Sequence, residues 1–123
     1  MTRKEAREKA MQLIFQMEAQ NQLNLEEGKL LVEKLEDLSQ KDYMMEVIGA
    51  VVEHQMEIDS FIEEHSKWNI SRMPKVELSI LRLAVSEIKY CNLPKEVAIN
   101  EAVELTKAYG EGSKYVNAIL AKL

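Results

Sequence analysis

The sequence is poor in the residues that punctuate or cross-link a chain: one cysteine, two prolines and four glycines among 123 residues. The single thiol, Cys91, cannot close an internal disulfide and fits a reducing compartment. So little glycine and proline excludes collagen-like and linker-rich organisation. No apolar run approaches the roughly 20 residues needed to span a bilayer. Met1-Thr2-Arg3-Lys4-Glu5 also lacks the apolar segment of a signal peptide. A cytosolic chain with no membrane partner is therefore expected. Strict two-residue alternation, the mark of a half-buried strand, is missing throughout, as are internal repeats and low-complexity tracts. What is present, 46% hydrophobic and 30% charged residues, belongs to the globular class. A chain of this length removes roughly two-thirds of its unfolded surface from water, enough for one domain over residues 1–123 without disulfides or metals.

The net charge of −5 conceals a division along the chain. Residues 1–9 carry +2, residues 10–66 carry −10 and residues 67–123 carry +3. Phosphate responds to the local potential rather than the total, so a nucleic-acid contact at one face is compatible with an acidic pI. The plainer reading of the acidic middle is a set of solvated helix faces.

Helical periodicity runs through the whole chain. Thr2 and Glu5 form a capping box, followed by an apolar stripe at Ala6, Ala10, Leu13, Ile14 and Met17. Arg3 and Arg7, four apart, share a face of the same helix. Asn24 and Glu27 signal a second start, and Leu25, Leu31, Leu35 and Leu38 give a short second helix. From Tyr43 to His65 the spacing stays helical for more than twenty residues, which predicts a bend or break at 56–59. Residues 66–73 lose the period, and Pro74 suits the first turn of the next helix. Its stripe is Val76, Ile80, Leu83, Ala84, Ile88 and Cys91, and Asn92-Leu93-Pro94 stops it. Ala98, Ala102, Leu105 and Tyr109 carry another helix to Gly110. Ser113 can cap a last one packed through Val116, Ile119, Leu120 and Leu123. The expected architecture is an all-α bundle with mostly short loops.

Catalytic constellations are scarce. His54 and His65 are eleven residues apart, about 16 Å along a helix, too far to share a metal. Val51 and Ile62 occupy the positions a Glu-x-x-His pair would need, which argues against a di-iron bundle. Cys91, on an apolar stripe without a neighbouring base, reads as packing rather than a nucleophile. Gly110-Glu111-Gly112 follows a helix instead of a strand, the wrong context for a dinucleotide site. A small helical enzyme using scattered charges would need a pocket of convergent groups. What remains is a binding module: Arg3, Lys4 and Arg7 supply cations at one end of the chain, Lys107, Lys114 and Tyr115 at the other. Single-stranded RNA needs such cations together with rings, and Phe15 and Tyr115 are of the right type. Phe15 fits the core equally well. A helical protein–protein adaptor is the alternative.

Longer motifs narrow the choice. Arg3-x-x-Ala6-Arg7-x-x-Ala10-x-Gln12 opens the chain. Trp68-Asn69-Ile70-Ser71-Arg72-Met73 leads into Val76-Glu77, Ile80-Leu81-Arg82-Leu83-Ala84 and Glu87-Ile88. The most specific block is Leu93-Pro94-x-x-Val97-Ala98-Ile99-Asn100-Glu101-Ala102-Val103-Glu104-Leu105-x-Lys107, followed by Tyr109-Gly110 and Tyr115-Val116-Asn117-x-Ile119-Leu120. In this order, the blocks resemble the NusB family of transcription antitermination factors along nearly the whole chain. The resemblance implies two packed three- or four-helix subbundles. It also implies binding of boxA-type RNA together with NusE, the free form of a small-subunit ribosomal protein. The pair would act within the RNA polymerase antitermination complex, with no catalysis and no cofactor. Self-association into a homodimer stays open.

Carried over by position, Arg3 and Arg7 match the family's basic RNA-contacting helix, with Lys4 beside them, and Phe15 matches an aromatic near that surface. Lys114, Tyr115 and Asn117 fall in the second RNA-facing segment, and Glu77 on the side that meets NusE. Arg82 is expected to bridge carboxylates between helices, Asn100 and Glu101 to form a helix-start and interhelix pair, and Trp68 to anchor the connection beneath the second subbundle. Glu5 and Glu8 dilute the first helix's charge, and the Gly110–Ser113 turn is shorter than in some relatives and lacks their aspartate. Ala118 stands where glycine is frequent. These departures predict weak RNA binding alone and dependence on NusE.

Overall fold

The fold is seen in a computed structural model that describes residues 1–123. The first helix, α1 (Arg3–Ala19), starts at the expected capping box. The Glu5 amide donates to Thr2 Oγ1 at 3.0 Å, and the Thr2 amide donates to Glu5 Oε1 at 2.8 Å. Asn21, just past the end of α1, takes a positive φ of 56°, a left-handed conformation that asparagine tolerates. The second helix, α2 (Leu25–Glu33), is capped by Asn24 Oδ1, which accepts from the Glu27 amide at 2.8 Å. It ends before Leu35 and Leu38, earlier than the leucine spacing predicts. There the Asp37 carboxylate accepts from the Ser39 amide at 2.9 Å, a local turn that competes with helix continuation. Gly28 lets α2 press against the next helix, because a Cβ there would stand 2.9 Å from Ile48 Cγ2.

The long periodic stretch divides into α3 (Lys41–Glu53) and α4 (Gln55–Glu64). The break falls at His54, ahead of the predicted 56–59. His54 terminates α3 and starts α4, and its ring stacks on Tyr90 at 3.7 Å and 6°. No proline or glycine marks this position; what the structure places there is the tertiary contact between His54 and Tyr90. A short 3-10 turn (Ile70–Arg72) leads to α5 (Lys75–Tyr90), then α6 (Lys95–Tyr109) and α7 (Ser113–Leu120). Pro74 and Pro94 sit at the N-caps of α5 and α6, one residue before the first turn. Ser113 is the first residue of α7 rather than its cap; Gly112 holds that place without a side-chain bond.

Helices α1 to α4 form one group and α5 to α7 the other, with α5 as the seam. It touches α1, α3 and α4 on one side and α6 and α7 on the other. Every residue from Glu77 to Glu87 is consequently buried, the condition of a helix enclosed on all sides. Burial of Leu78, Ile80, Leu81 and Leu83 stabilises by about 1.5–3 kcal/mol each. The same enclosure requires that Glu77, Arg82 and Glu87 find partners.

Candidate nucleic-acid interface

The first turns of α1 point their cations in three directions. Arg3 is exposed and faces α3: its Nε donates to Gln40 Oε1 at 2.9 Å and its guanidinium lies 4.2 Å over the Tyr43 ring. Lys4 turns the other way and pairs with Glu104 of α6. Arg7 points inward. It is only 6% exposed, and its Nε donates to both Glu87 oxygens at 3.1 Å. Its Nη2 lies 3.0 Å from Glu87 Oε2 and its Nη1 3.3 Å from Glu101 Oε1. The Tyr43 hydroxyl donates to the same Glu87 Oε2 at 2.9 Å. Burial would lower the Arg7 pKa, but the bonds and charge of Glu87 outweigh it and hold the guanidinium above its ordinary value. Burial and the Glu87 charge together push the Tyr43 hydroxyl far above its usual range, so it stays a protonated donor.

Arg7, expected to grip phosphate, is enclosed in the free protein. Its donors are spent on two carboxylates, and it ties α1 to α5 and α6 from inside. Of the two opening arginines, only Arg3 stays exposed. Glu101, expected to bond between helices, does so with Arg7, whereas Asn100 is exposed and makes no side-chain bond. Arg82 bridges as expected: Nε and Nη2 donate to the two Asp59 oxygens at 2.9 and 2.8 Å, and Nη1 lies 3.4 Å from Glu18 Oε1.

The ring that α1 brings to the C-terminal helices is Phe15. Its ring, 36% exposed, lines a groove with Met11, Gln12, Val76 and Tyr109. Tyr109, at 43%, is fixed there because its hydroxyl donates to Glu8 Oε1 at 2.6 Å and accepts from Gln12 Nε2 at 3.3 Å. A neighbouring groove is lined by Trp68, Pro74, Glu77, Glu111, Gly112 and Tyr115. Trp68, at 48%, meets Tyr115 with centroids 5.5 Å apart and a tilt of 35°. The Tyr115 hydroxyl bonds to Ser66 Oγ. Pro74, Glu77 and Glu111 border both this groove and the channel that connects it to Phe15 and Tyr109. Four partly exposed rings thus form one strip across the meeting point of α1, α5, α6 and α7.

Lys114 and Asn117 are exposed on α7, and Lys114 makes no ion pair. Glu77, expected on the side that meets NusE, is held by backbone amides within the protein. It is 6% exposed, and its Oε2 accepts from the amides of Glu111 at 2.9 Å and Gly112 at 3.3 Å. Its placement on the buried stripe of α5 removes it from solvent. Sequence reasoning missed Tyr109 and Trp68 as surface rings. Tyr109 continues the apolar spacing of α6, and only its place in the last turn before Gly110 hints at exposure. No three His, Cys, Asp or Glu side chains converge in a metal-binding arrangement, and no helix is long and apolar enough to cross a membrane.

Known proteins are similar to this chain in sequence and in fold. A Transcription antitermination protein NusB from Listeria monocytogenes serotype 4a is 40% identical over 127 residues, covering 100% of this chain and 96% of that protein. One of the same name from Agathobacter rectalis is 42% identical over 129 residues, covering 99% and 98%. Among solved structures, T. maritima NusB superimposes with a TM-score of 0.87 at 30% identity, over 99% of this chain and 89% of that one. The antitermination factors NusB and NusE have been crystallised in complex with dsRNA, and a chain of that complex matches with a TM-score of 0.82 at 29% identity, over 98% and 93%. Residues 4–123 match the model of the NusB family, and with the seven-helix fold seamed by α5 this places the chain in that family.

Proposed function

We propose that this chain is a transcription antitermination factor. It binds boxA-type single-stranded RNA together with NusE and helps RNA polymerase read through terminators, notably in ribosomal RNA transcription. Residues 1–123 act as one RNA- and protein-binding unit, and the role asks for no catalytic step. The observation that carries this reading is the strip of four rings, Phe15, Tyr109, Trp68 and Tyr115, with the exposed cation Lys114 next to Tyr115 in the sequence. Unpaired bases stack on such rings whatever their sequence, while neighbouring cations neutralise phosphates. The names of the relatives, and the NusB–NusE complex with dsRNA among the structural neighbours, support a factor that meets RNA together with NusE. Lys4, held by Glu104, joins the phosphate contacts by exchanging one anion for another.

A protein-only adaptor is the second reading, and one observation favours it: the opening helix offers less free positive charge than its sequence promises, because Arg7 and Lys4 are both matched by carboxylates. A titration of boxA-type RNA over a series of salt concentrations, with and without NusE, separates the two. Binding is expected to be weak alone and strengthened by NusE. The plot of log K against log salt should have a slope of about −2, as neutralisation of about three single-strand phosphates would give. Lys114→Ala should weaken binding to all sequences and flatten that slope by up to about 1. An intact complex with NusE that shows no RNA binding in low salt would leave the adaptor reading standing.

A further inference from the structure

Glu77 occupies an unusual position for a carboxylate, on the buried stripe of the central helix and between the two ring-lined grooves. No cation pairs with it. Instead its Oε2 collects the consecutive amides of Glu111 and Gly112 in the turn between α6 and α7. Amide bonds to an ionised acceptor are stronger than neutral ones, and two successive amides on one oxygen fix the direction of the turn. Gly110 completes the fit. A Cβ at Gly110 would stand 2.6 Å from Glu77 Oε2 and 2.9 Å from its carboxyl carbon, so any larger residue would have to push the carboxylate out of its place under the turn. Tyr109 precedes this turn and Tyr115 follows it.

We infer that Glu77 is a positioning residue: its carboxylate latches the Gly110–Gly112 turn onto α5 and so sets the separation between the Phe15–Tyr109 and Trp68–Tyr115 ring pairs. The inference rests on the RNA-binding reading for its consequence, although the latch is a local property that can be observed without RNA. It assigns Glu77 a role inside the protein, distinct from the partner contact that family resemblance implies. It also explains why a short, aspartate-free turn holds α7 in a defined place.

Trp68 is the only tryptophan in the chain and packs at a tilt against Tyr115, so its emission reports the geometry of the strip directly. Glu77→Ala is expected to shift that emission while leaving helix content by circular dichroism unchanged. RNA affinity should fall about tenfold, within the range that one lost stacking contact gives, and NusE affinity should be retained. Glu77→Gln keeps an acceptor oxygen and should restore most of both signals. Gly110→Ala leaves the carboxylate but drives a methyl into it, and should reproduce the Glu77→Ala result. Wild-type emission and affinity in Glu77→Ala would overturn the latch. So would loss of NusE binding with RNA affinity intact, because Glu77 would then be a partner contact. If the wild-type protein binds no RNA but its Trp68 emission still responds to Glu77→Ala and Gly110→Ala, the latch stands and the RNA-binding reading falls.

Discussion

Replacing Arg7 with methionine is expected to destabilise the fold by about 3–5 kcal/mol, the usual cost of removing one member of a buried ion pair. The substitution leaves Glu87 enclosed with only the Tyr43 hydroxyl to satisfy it, and Glu101 without its interhelix partner. Four helices are affected, since Arg7, Tyr43, Glu87 and Glu101 lie on α1, α3, α5 and α6. The midpoint of urea unfolding should fall while its slope holds, because the native fold is weakened without changing how much surface unfolding exposes. Adding Glu87→Leu to Arg7→Met should recover part of the loss, since the stranded charge is gone and only the Tyr43 hydroxyl lacks its acceptor. RNA affinity, measured where the variant is fully folded, should change little. Full stability combined with lost RNA affinity in Arg7→Met would return Arg7 to the RNA surface.

Arg82→Met should have a loss of similar size, about 3–5 kcal/mol, through a second buried network on the same central helix. Arg82 is among the largest fully buried side chains, and its guanidinium grips Asp59 through two parallel bonds while lying against Glu18. Those contacts join α5 to α4 and α1, on the side of the seam away from α6 and α7. Arg82→Lys keeps the charge but cannot reproduce the paired geometry, so its stability should lie between wild type and Arg82→Met. Chemical unfolding of the three proteins orders them directly. Equal midpoints for wild type and Arg82→Met would show that the network adds nothing beyond the packing around it.

These two arginines show how far the residues alone could be followed. Arg82 lies within a run of apolar residues, so a structural role was legible from its neighbours. Arg7 stands near the start of the chain among Arg3, Lys4 and Lys9, and local charge made it look like a surface cation. A second signal lay in the same helix. Arg7, Met11 and Ile14 are spaced at i, i+4 and i+7, which puts Arg7 on the buried face. Glu77 and Glu87 carry the same signal, in register with Ile80 and Ala84 on α5. A charged residue in phase with an apolar stripe points to an internal partner, but its spacing does not say which one. That information came from elements distant in sequence: Glu87 is eighty residues from Arg7, and Glu111 thirty-four from Glu77.

Helix starts were readable because capping is local. The Thr2–Glu5 box and the Asn24 cap span only four residues each, and both formed as the sequence predicts. Helix ends set by tertiary contacts were less readable. The α3–α4 break has no breaker residue and coincides with His54 packing against Tyr90, thirty-six positions away. The ring strip lies at the same limit. Phe15 and Tyr115 were recognised by type, whereas Tyr109 and Trp68 joined them only once α1, α5, α6 and α7 had been brought together.

Ultraviolet crosslinking of boxA-type RNA to the NusE-bound protein, followed by peptide mapping, tests the proposed surface most directly. Crosslinks should fall at Phe15, Trp68, Tyr109 and Tyr115, with none at the enclosed Arg7. Crosslinks confined to α2, α3 and α4, with the four rings unlabelled, would contradict the assignment of the RNA surface to this strip.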